Sequence, residues 1–349
     1  MSEPTLRLKS PTDLLALVPC VLGFHPQDSL VLVVLAAEAG NLHARVDLVR
    51  EDVDIDAAVE SLLPAVRRVG ARTVALVAYT DDCFLAEEAV DELAEALAAV
   101  GVEVVIALRA EVDRWWALGC EDDAYPSEGS PYDVRDHPIT AQAVLDGKVT
   151  FPSRRALADS LIGSDVDDIE AVAEAADEAM RRFRRAAGQD VLHVDGDVIP
   201  FPAHATGGAR QHLVAEGLWV RDRVRRYLDT REPLDSDEAG RLSVALVNIA
   251  VRDVAWSEMT RENAASHVEL WRDLVRRTPH DLLAAPAALL AFAAWLSGNG
   301  ALAWCALDRC QEAEPGYSLA GLLTQALVAA IPPSTWTPVP PEDLPLFAG

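Results

Sequence analysis

The stretch HPQDSLVLVVLA, residues 25–36, joins a turn to an almost continuous apolar run and decides how the N-terminal region is interpreted. Pro26 suits the second position of a type I turn, because the proline ring fixes φ near the value that this position requires. The run at 29–36 shows no polar alternation, which is typical of a strand covered on both faces of a sheet. We therefore predict a turn that leads directly into a buried strand.

The segments that follow extend this strand into an α/β domain. Residues 42–49 come after a short Gly40-Asn41 turn and should pair with it as an antiparallel hairpin. Helical and strand patterns then alternate, which predicts right-handed crossovers and parallel strands. The predicted elements are a helix over 56–68, a strand over 73–79, a helix over 85–100 and a strand over 102–108. The fold class is an α/β N-terminal domain, with a mixed sheet that contains a hairpin and parallel crossovers.

One edge of this predicted sheet collects polar and aromatic residues. The hairpin brings the start of the first strand to the same edge as the ends of the other strands. Ligands of open α/β sheets bind at the carboxyl ends of strands. The candidate catalytic residues are His25, Asp28, Ser29, Asp81 and Arg114. The candidate ligand-binding residues are Asp82, Arg109, Trp115 and Glu128.

Most of these candidates also have a purely structural interpretation. His25, Asp28 and Ser29 lie within five residues, whereas a nucleophile triad usually draws its members from separate segments. The three residues would then only form the turn. Asp81 and Asp82 equally suit the start of a helix, where a carboxylate caps backbone amides. Trp115 would pack against the sheet.

The chain becomes helical after residue 150. We predict a helical connector that contains a hairpin or loop over 151–210, and an all-α stack of helical hairpins over 211–331. The last segment, 332–349, is rich in proline and is expected to be disordered or extended.

A weak repeat supports the helical stack. Trp271 and Leu307 lie at the same offset before Pro279 and Pro315, a period of 36 residues (315 − 279) that is typical of tetratricopeptide-like helix pairs. Three tryptophans of the predicted stack fall on apolar helix faces and are expected in the core: Trp271, Trp295 and Trp304.

Composition and motifs exclude several classes of function. The formal net charge of −26 repels phosphate backbones and anionic lipids, so neither nucleic acid nor a membrane is expected as the partner. Five cysteines without paired spacing, and a start without an apolar leader, predict a reduced cytoplasmic protein. Nucleotide-binding, hydrolase and zinc motifs are not found in the sequence. No cofactor or metal is expected.

Several stretches carry a resemblance to a known family. They are LRLKSPTDLLALVPCVLGFHPQDSLVLVVL at 6–35, RWWALGCEDDAYPSEGSPYDV at 114–134, VRDVAW at 251–256 and LLAFAAWLSGNGALAWCALDRCQEAEPGYSLAGLL at 289–323. Together they resemble the actinobacterial family catalogued as domain of unknown function 4192. The resemblance implies a cytoplasmic protein and brings no activity. Members tend to have extra cysteines before the PxEG element, where this chain has Ala124 and Tyr125, so a cysteine-dependent metal or redox role is not expected.

Two functions are consistent with the sequence. The first is a recognition or scaffold protein that binds a protein, a peptide or a small ligand. The alternative is an enzyme that acts on a small polar substrate at the sheet edge. His25 would then be the general acid or base, with Asp28 or Asp81 orienting it and Arg114 holding an anionic group.

Overall fold

The structure is a computed structural model that describes residues 8–38, 42–48, 55–119, 126–187 and 207–347. It divides into two compact units. The first unit comprises residues 1–157 and 328–332, and the second comprises residues 158–327 and 333–349. The predicted hairpin or loop of the connector lies largely within 188–206, outside the described residues.

The first unit is a mixed sheet with helices. Its strands are β1 (Ser29–Ala37), β2 (His43–Asp47), β3 (Ala71–Tyr79), β4 (Glu103–Ala110), β5 (Arg114–Ala117) and β6 (Ser130–Pro131). Its helices are α1 (Pro11–Leu22), α2 (Ile55–Val69), α3 (Cys83–Ala99), α4 (Pro138–Leu145) and α5 (Arg154–Asp159), the last of which runs across the boundary between the units.

The sheet has the strand order β2-β1-β3-β4-β5-β6. β1 runs antiparallel to β2 and β3, whereas β3 and β4 are parallel. The predicted hairpin and crossover are therefore confirmed, with β1 lying between β2 and β3. Two antiparallel strands, β5 and β6, were not predicted as strands because they contain only four and two residues.

Both faces of the central strands are covered, which explains the uninterrupted apolar run in β1. Leu30 and Leu32 belong to a core that includes residues of α2 and α3. Val31 and Val33, which alternate with them and point to the opposite face, are equally buried. The pattern that predicted a strand covered on both sides is thus confirmed by burial.

The second unit is helical throughout the residues described. Its helices are α6 (Val166–Ala187), α7 (Gly207–Thr230), α8 (Ser236–Ala245), α9 (Ile249–Ser257), α10 (Ala264–Arg277), α11 (Ala284–Leu296), α12 (Gly300–Ala313) and α13 (Ser318–Val328). Successive helices pack together from α10 to α12, as in a stack of hairpins. Earlier helices pack on their second neighbours instead, α6 on α8 and α7 on α9. The regular stack predicted for 211–331 therefore covers only part of that range.

Much of the range 151–210, predicted as a helical connector, is occupied by α6. This helix buries Val172, Ala176 and Phe183 and packs mainly on α8, within the second unit. Its apolar stripe is therefore part of the core of this unit.

The C-terminal tail, expected to be disordered or extended, packs on the helical unit over the residues described. Trp336 lies 4.6 Å from the ring of Trp256 and 4.9 Å from that of Phe292, and its Nε1 donates to the Met259 carbonyl at 3.0 Å. Leu346 is fully buried. Large apolar side chains between the prolines pack on the helical unit. The proline content of the tail alone does not predict this packing.

Gly240 marks a close approach of α8 to α6 and gives a first testable prediction. A Cβ at this position would lie 2.6 Å from the Ala176 amide nitrogen and 2.7 Å from the Ala175 Cβ. Gly240→Ala should therefore force the helices apart and lower the free energy of unfolding by about 1–3 kcal/mol.

Gly321→Ala on α13 is the matched control, because a Cβ there would have no atom within 4 Å. It should be neutral, or stabilising by up to about 1 kcal/mol through helix propensity. Urea unfolding of both variants measures the difference. Equal stability of the two variants would show that α6 and α8 tolerate the extra methyl group.

Candidate functional site

The register of the sheet brings the predicted strand ends to one edge. Ser29 at the start of β1 lies opposite Asp47 of β2 and Tyr79 of β3. Tyr79 lies opposite Ala110 of β4, which in turn lies opposite Trp115 of β5. We call this the strand-end edge. Its β1 and β5 ends are three strand spacings apart, about 14 Å, so His25 and Arg114 belong to well-separated parts of it.

Ser29 is committed to structural hydrogen bonds. Its side chain is fully buried, and its hydroxyl donates to the Gln27 carbonyl at 2.5 Å. The same oxygen accepts from Arg45 Nε at 2.8 Å. The single hydroxyl proton is therefore directed to a backbone carbonyl, and a buried serine held in this way is not arranged as a nucleophile.

Asp28 and His25 hold the turn through their backbones. Asp28 adopts a left-handed conformation with φ +41°, and its carbonyl accepts the Leu48 amide at 2.7 Å. The His25 amide donates to the Phe151 carbonyl at 2.9 Å, which ties the turn to a distant segment. Both side chains are exposed and make no hydrogen bond within the described residues. Partial desolvation lowers the pKa of the His25 imidazole.

Asp81 and Asp82 form the turn between β3 and α3. The Asp82 carboxylate caps α3 by accepting the amides of Phe84 and Leu85, both at 3.1 Å. The Asp81 carbonyl accepts a long hydrogen bond of 3.4 Å from Arg109 Nη1. The structure therefore agrees with the interpretation of Asp81 and Asp82 as the start of a helix, and Asp82 is the capping residue.

Arg109 is buried at the end of β4. Its guanidinium group donates to Glu111 at 2.6 Å and lies 3.7 Å from the centre of the Trp116 ring. This pairing and the cation–π contact satisfy the buried charge inside the protein. Arg109 thus joins β4, β5 and the β3–α3 turn.

Arg114 and Trp116 hold the 126–129 loop on β5. Arg114 Nη1 donates to the carbonyls of Glu128 and Gly129 at 3.1 and 3.0 Å, and Trp116 Nε1 donates to the Ser127 carbonyl at 3.1 Å. A Cβ on Gly129, whose φ is +80°, would lie 2.5 Å from the Trp116 ring. The Arg114 guanidinium group therefore binds backbone carbonyls of the protein.

The two remaining candidates differ in exposure. Trp115 is buried, in accordance with the packing interpretation. The Glu128 side chain is exposed and accepts only a long hydrogen bond of 3.5 Å from the neighbouring Ser127 hydroxyl.

Sequence reasoning missed two exposed apolar side chains that follow neighbouring strand ends. Phe84, in the first turn of α3 after β3, is 79% exposed, and Val112, after β4, is 94% exposed. A large apolar residue directly after a helix cap was the available signal for Phe84. No sequence signal pointed to Val112, because it lies in a turn between two strands and the second strand was not predicted.

No group of three or more His, Cys, Asp or Glu side chains within the described ranges is arranged to hold a metal ion. Among the helices described, none combines the length and the apolar character needed to cross a bilayer.

Comparison with known proteins gives one family match. The model described as "Domain of unknown function (DUF4192)" matches residues 11–334, which is most of the chain. No curated protein and no solved structure matches.

Proposed function

We propose that this chain, which belongs to the DUF4192 family, is a recognition protein whose strand-end edge binds a segment of another protein. One observation carries the proposal. The polar candidates at this edge are largely used to hold turns and loops together, while Phe84 and Val112 project from it almost fully exposed. Exposed aromatic side chains such as Phe84 are enriched in protein interfaces, and Val112 adds apolar area at the same edge.

Rigidity supports recognition at this edge. The β3–α3 turn is fixed by the Asp82 cap and by the Arg109 hydrogen bond to the Asp81 carbonyl. The turn that carries Val112 is fixed by the Glu111 amide, which donates to the Arg114 carbonyl at 2.8 Å. A surface that is already ordered loses little conformational entropy when a partner binds.

Charge indicates the chemistry of the partner. Exposed aspartates accompany the apolar side chains, Asp81 before Phe84 and Asp113 after Val112. The chain as a whole carries −26, so its field attracts positive segments. The proposed partner segment therefore presents an apolar side chain flanked by lysine or arginine.

A double variant tests this proposal. Phe84→Ser with Val112→Ser should remove the partners captured by the wild-type chain in quantitative pull-down with mass spectrometry. With a purified partner, affinity should fall by at least about tenfold, as expected when interface anchors are truncated.

Val105→Ser is the matched control. Val105 is also exposed on β4, but five residues (110 − 105) before its end at Ala110, about 16 Å along the strand. This variant should keep every partner. If the double variant and the control retain the same partners, the strand-end edge is not the binding surface.

A second candidate function, an enzyme acting on a small polar substrate, is supported by His25. Its imidazole is exposed, and its lowered pKa favours the neutral form that a general base needs. Asp28 or Asp81 would orient the imidazole, and a substrate whose anionic group is held by Arg114 would have to span the roughly 14 Å between the β1 and β5 ends.

His25→Ala distinguishes the two functions. In a recognition protein it should cost at most about 1 kcal/mol of stability and leave partner binding unchanged. In an enzyme it should abolish conversion of a small molecule that co-purifies with the wild-type chain, with an unchanged melting temperature. Retained conversion would exclude His25 as the acid or base.

A reducing, cytoplasmic setting is part of the proposal. Cys20, Cys305 and Cys310 are buried thiols, and Cys83 is an exposed thiol. Burial raises the pKa of Cys310 to about 12, which keeps this thiol unreactive. Fractionation of the source cells, with the chain found outside the cytoplasmic fraction, would contradict this setting.

A further inference from the structure

A cavity of about 470 Å³ lies among α6, α7 and α8 of the second unit. This volume falls within the range of small-molecule sites in proteins. The apolar part of its lining comes from all three helices and comprises Phe183, Trp219, Ala175, Ala179, Val244 and Ala245. The cavity thus offers two aromatic side chains and a set of small aliphatic ones to a ligand.

The two arginines that line the cavity are already paired with carboxylates. Arg241 donates two parallel hydrogen bonds to Glu216, at 2.9 and 3.1 Å, and its guanidinium carbon lies 3.9 Å from the centre of the Trp219 ring. Arg182 donates to Glu178 at 2.9 Å, and Glu178 also pairs with Arg181 and Arg185, which do not line the cavity. Each cation is therefore held by a carboxylate, so the cavity has no unpaired arginine to bind an anion.

One carboxylate of the lining has no partner among the described residues. Asp237, in the first turn of α8, lines the cavity at its solvent-exposed side, and its carboxylate makes no hydrogen bond or ion pair within the described residues. Glu238 is different, because the buried Arg223 lies 2.8 Å from its carboxylate. Asp237 is thus the carboxylate of the lining that is left for a ligand.

His212 adds a polar atom without a partner. Its ring packs edge-on against Phe183, with 5.3 Å between the ring centres. Its Nε2 is buried and has no hydrogen-bond partner among the residues described. A buried nitrogen without a hydrogen-bond partner destabilises the folded chain, and a ligand that donates a hydrogen bond to it would remove this cost.

We propose that this cavity binds a small organic cation in which an ammonium group is joined to an apolar body. The ammonium group pairs with Asp237, and the apolar body packs against Phe183, Trp219 and the small aliphatic side chains. The chain's charge of −26 adds a long-range attraction for such a ligand. This site is independent of the strand-end edge.

The test compares probes of one shape and different charge on the full chain. 2-Phenylethylamine is the cationic probe, 3-phenylpropionate the anionic one and 2-phenylethanol the neutral one. We expect the amine to bind with a Kd of roughly a millimolar or tighter, as for fragment-sized ligands. Isothermal titration and ligand-observed NMR measure this, and the other two probes should bind at least about tenfold more weakly.

Two variants locate the site. Asp237→Asn should weaken amine binding by about tenfold, as expected for loss of a charged hydrogen-bond partner. Ala179→Leu should fill the cavity and abolish binding, while leucine keeps a high helix propensity on α6. Thermal melting of both variants shows that each is folded at the titration temperature.

Asp177→Asn is the matched control, because it removes the same charge from an exposed position of α6 that does not line the cavity. It should leave amine affinity within about twofold, since Asp177 does not contact the ligand and salt screens its charge at a distance. The proposal is overturned if no probe binds, if the anion binds as well as the amine, or if Asp177→Asn and Asp237→Asn have equal effects. Unchanged binding in folded Ala179→Leu would also overturn it.

Discussion

Replacing Trp271 by alanine is expected to lower the free energy of unfolding of the helical unit by about 3–5 kcal/mol, the usual range for truncating a fully buried tryptophan. Trp271 is completely buried in α10, and it stacks on His267 at 6.2 Å between ring centres. α10 packs on α11, so the lost side chain leaves a space inside this pair of helices. Urea unfolding with a shared m-value measures the loss.

Trp304→Ala is the control for this prediction. Trp304 lies in α12 and is only half-buried, which corrects the expectation that it belongs to the core. Its truncation removes less buried area and should cost clearly less than that of Trp271. A loss below about 1 kcal/mol for Trp271→Ala would contradict its place in the core.

Acidification is expected to destabilise the helical unit through His267. This side chain is fully buried in α10, and desolvation lowers its pKa from 6.5 to about 4, opposed in part by the Glu258 backbone and reinforced by the Arg231 charge. The unfolded chain takes up a proton as the pH falls through 6.5, while folded His267 stays neutral until about pH 4. Neutral His267 therefore contributes fully to the free energy of unfolding above pH 6.5. This contribution, roughly 3 kcal/mol, is lost as the pH falls from 6.5 to 4.

His267→Phe isolates this effect from the protonation of carboxylates. Phenylalanine keeps a ring beside Trp271 but does not titrate. Urea unfolding of the two chains from pH 7 to pH 4 should show the wild-type losing roughly 3 kcal/mol more than the variant. Parallel pH profiles would mean that His267 is protonated in the folded state as readily as in the unfolded state.

Periodicity and turn chemistry predicted much of the first unit. The apolar run after Pro26 predicted a strand covered on both faces of the sheet. In the structure Leu30 and Val31 are buried on opposite faces. The alternation of helices and strands then determined which strand ends share an edge. β5 escaped prediction because its side chains have no apolar alternation, and it is recognisable only by its pairing with β4.

The roles of the candidate residues were less accessible from sequence. Asp82 was recognisable as a cap, because the signal for a cap is local. Ser29 and Arg114 were not interpretable in this way, since their partners Arg45 and Glu128 depend on strand pairing and on a loop. Residue types indicate which bonds a side chain can form, whereas the fold determines which of them it uses.

The exposed Cys83 has a practical consequence for following events at the strand-end edge. Its thiol lies in the first turn of α3, beside Phe84, while Cys20, Cys305 and Cys310 are buried. In a Cys120→Ser background, a maleimide dye should therefore attach selectively at position 83. Its emission would then report the arrival of a partner in real time, on the purified full-length variant and without a lysate.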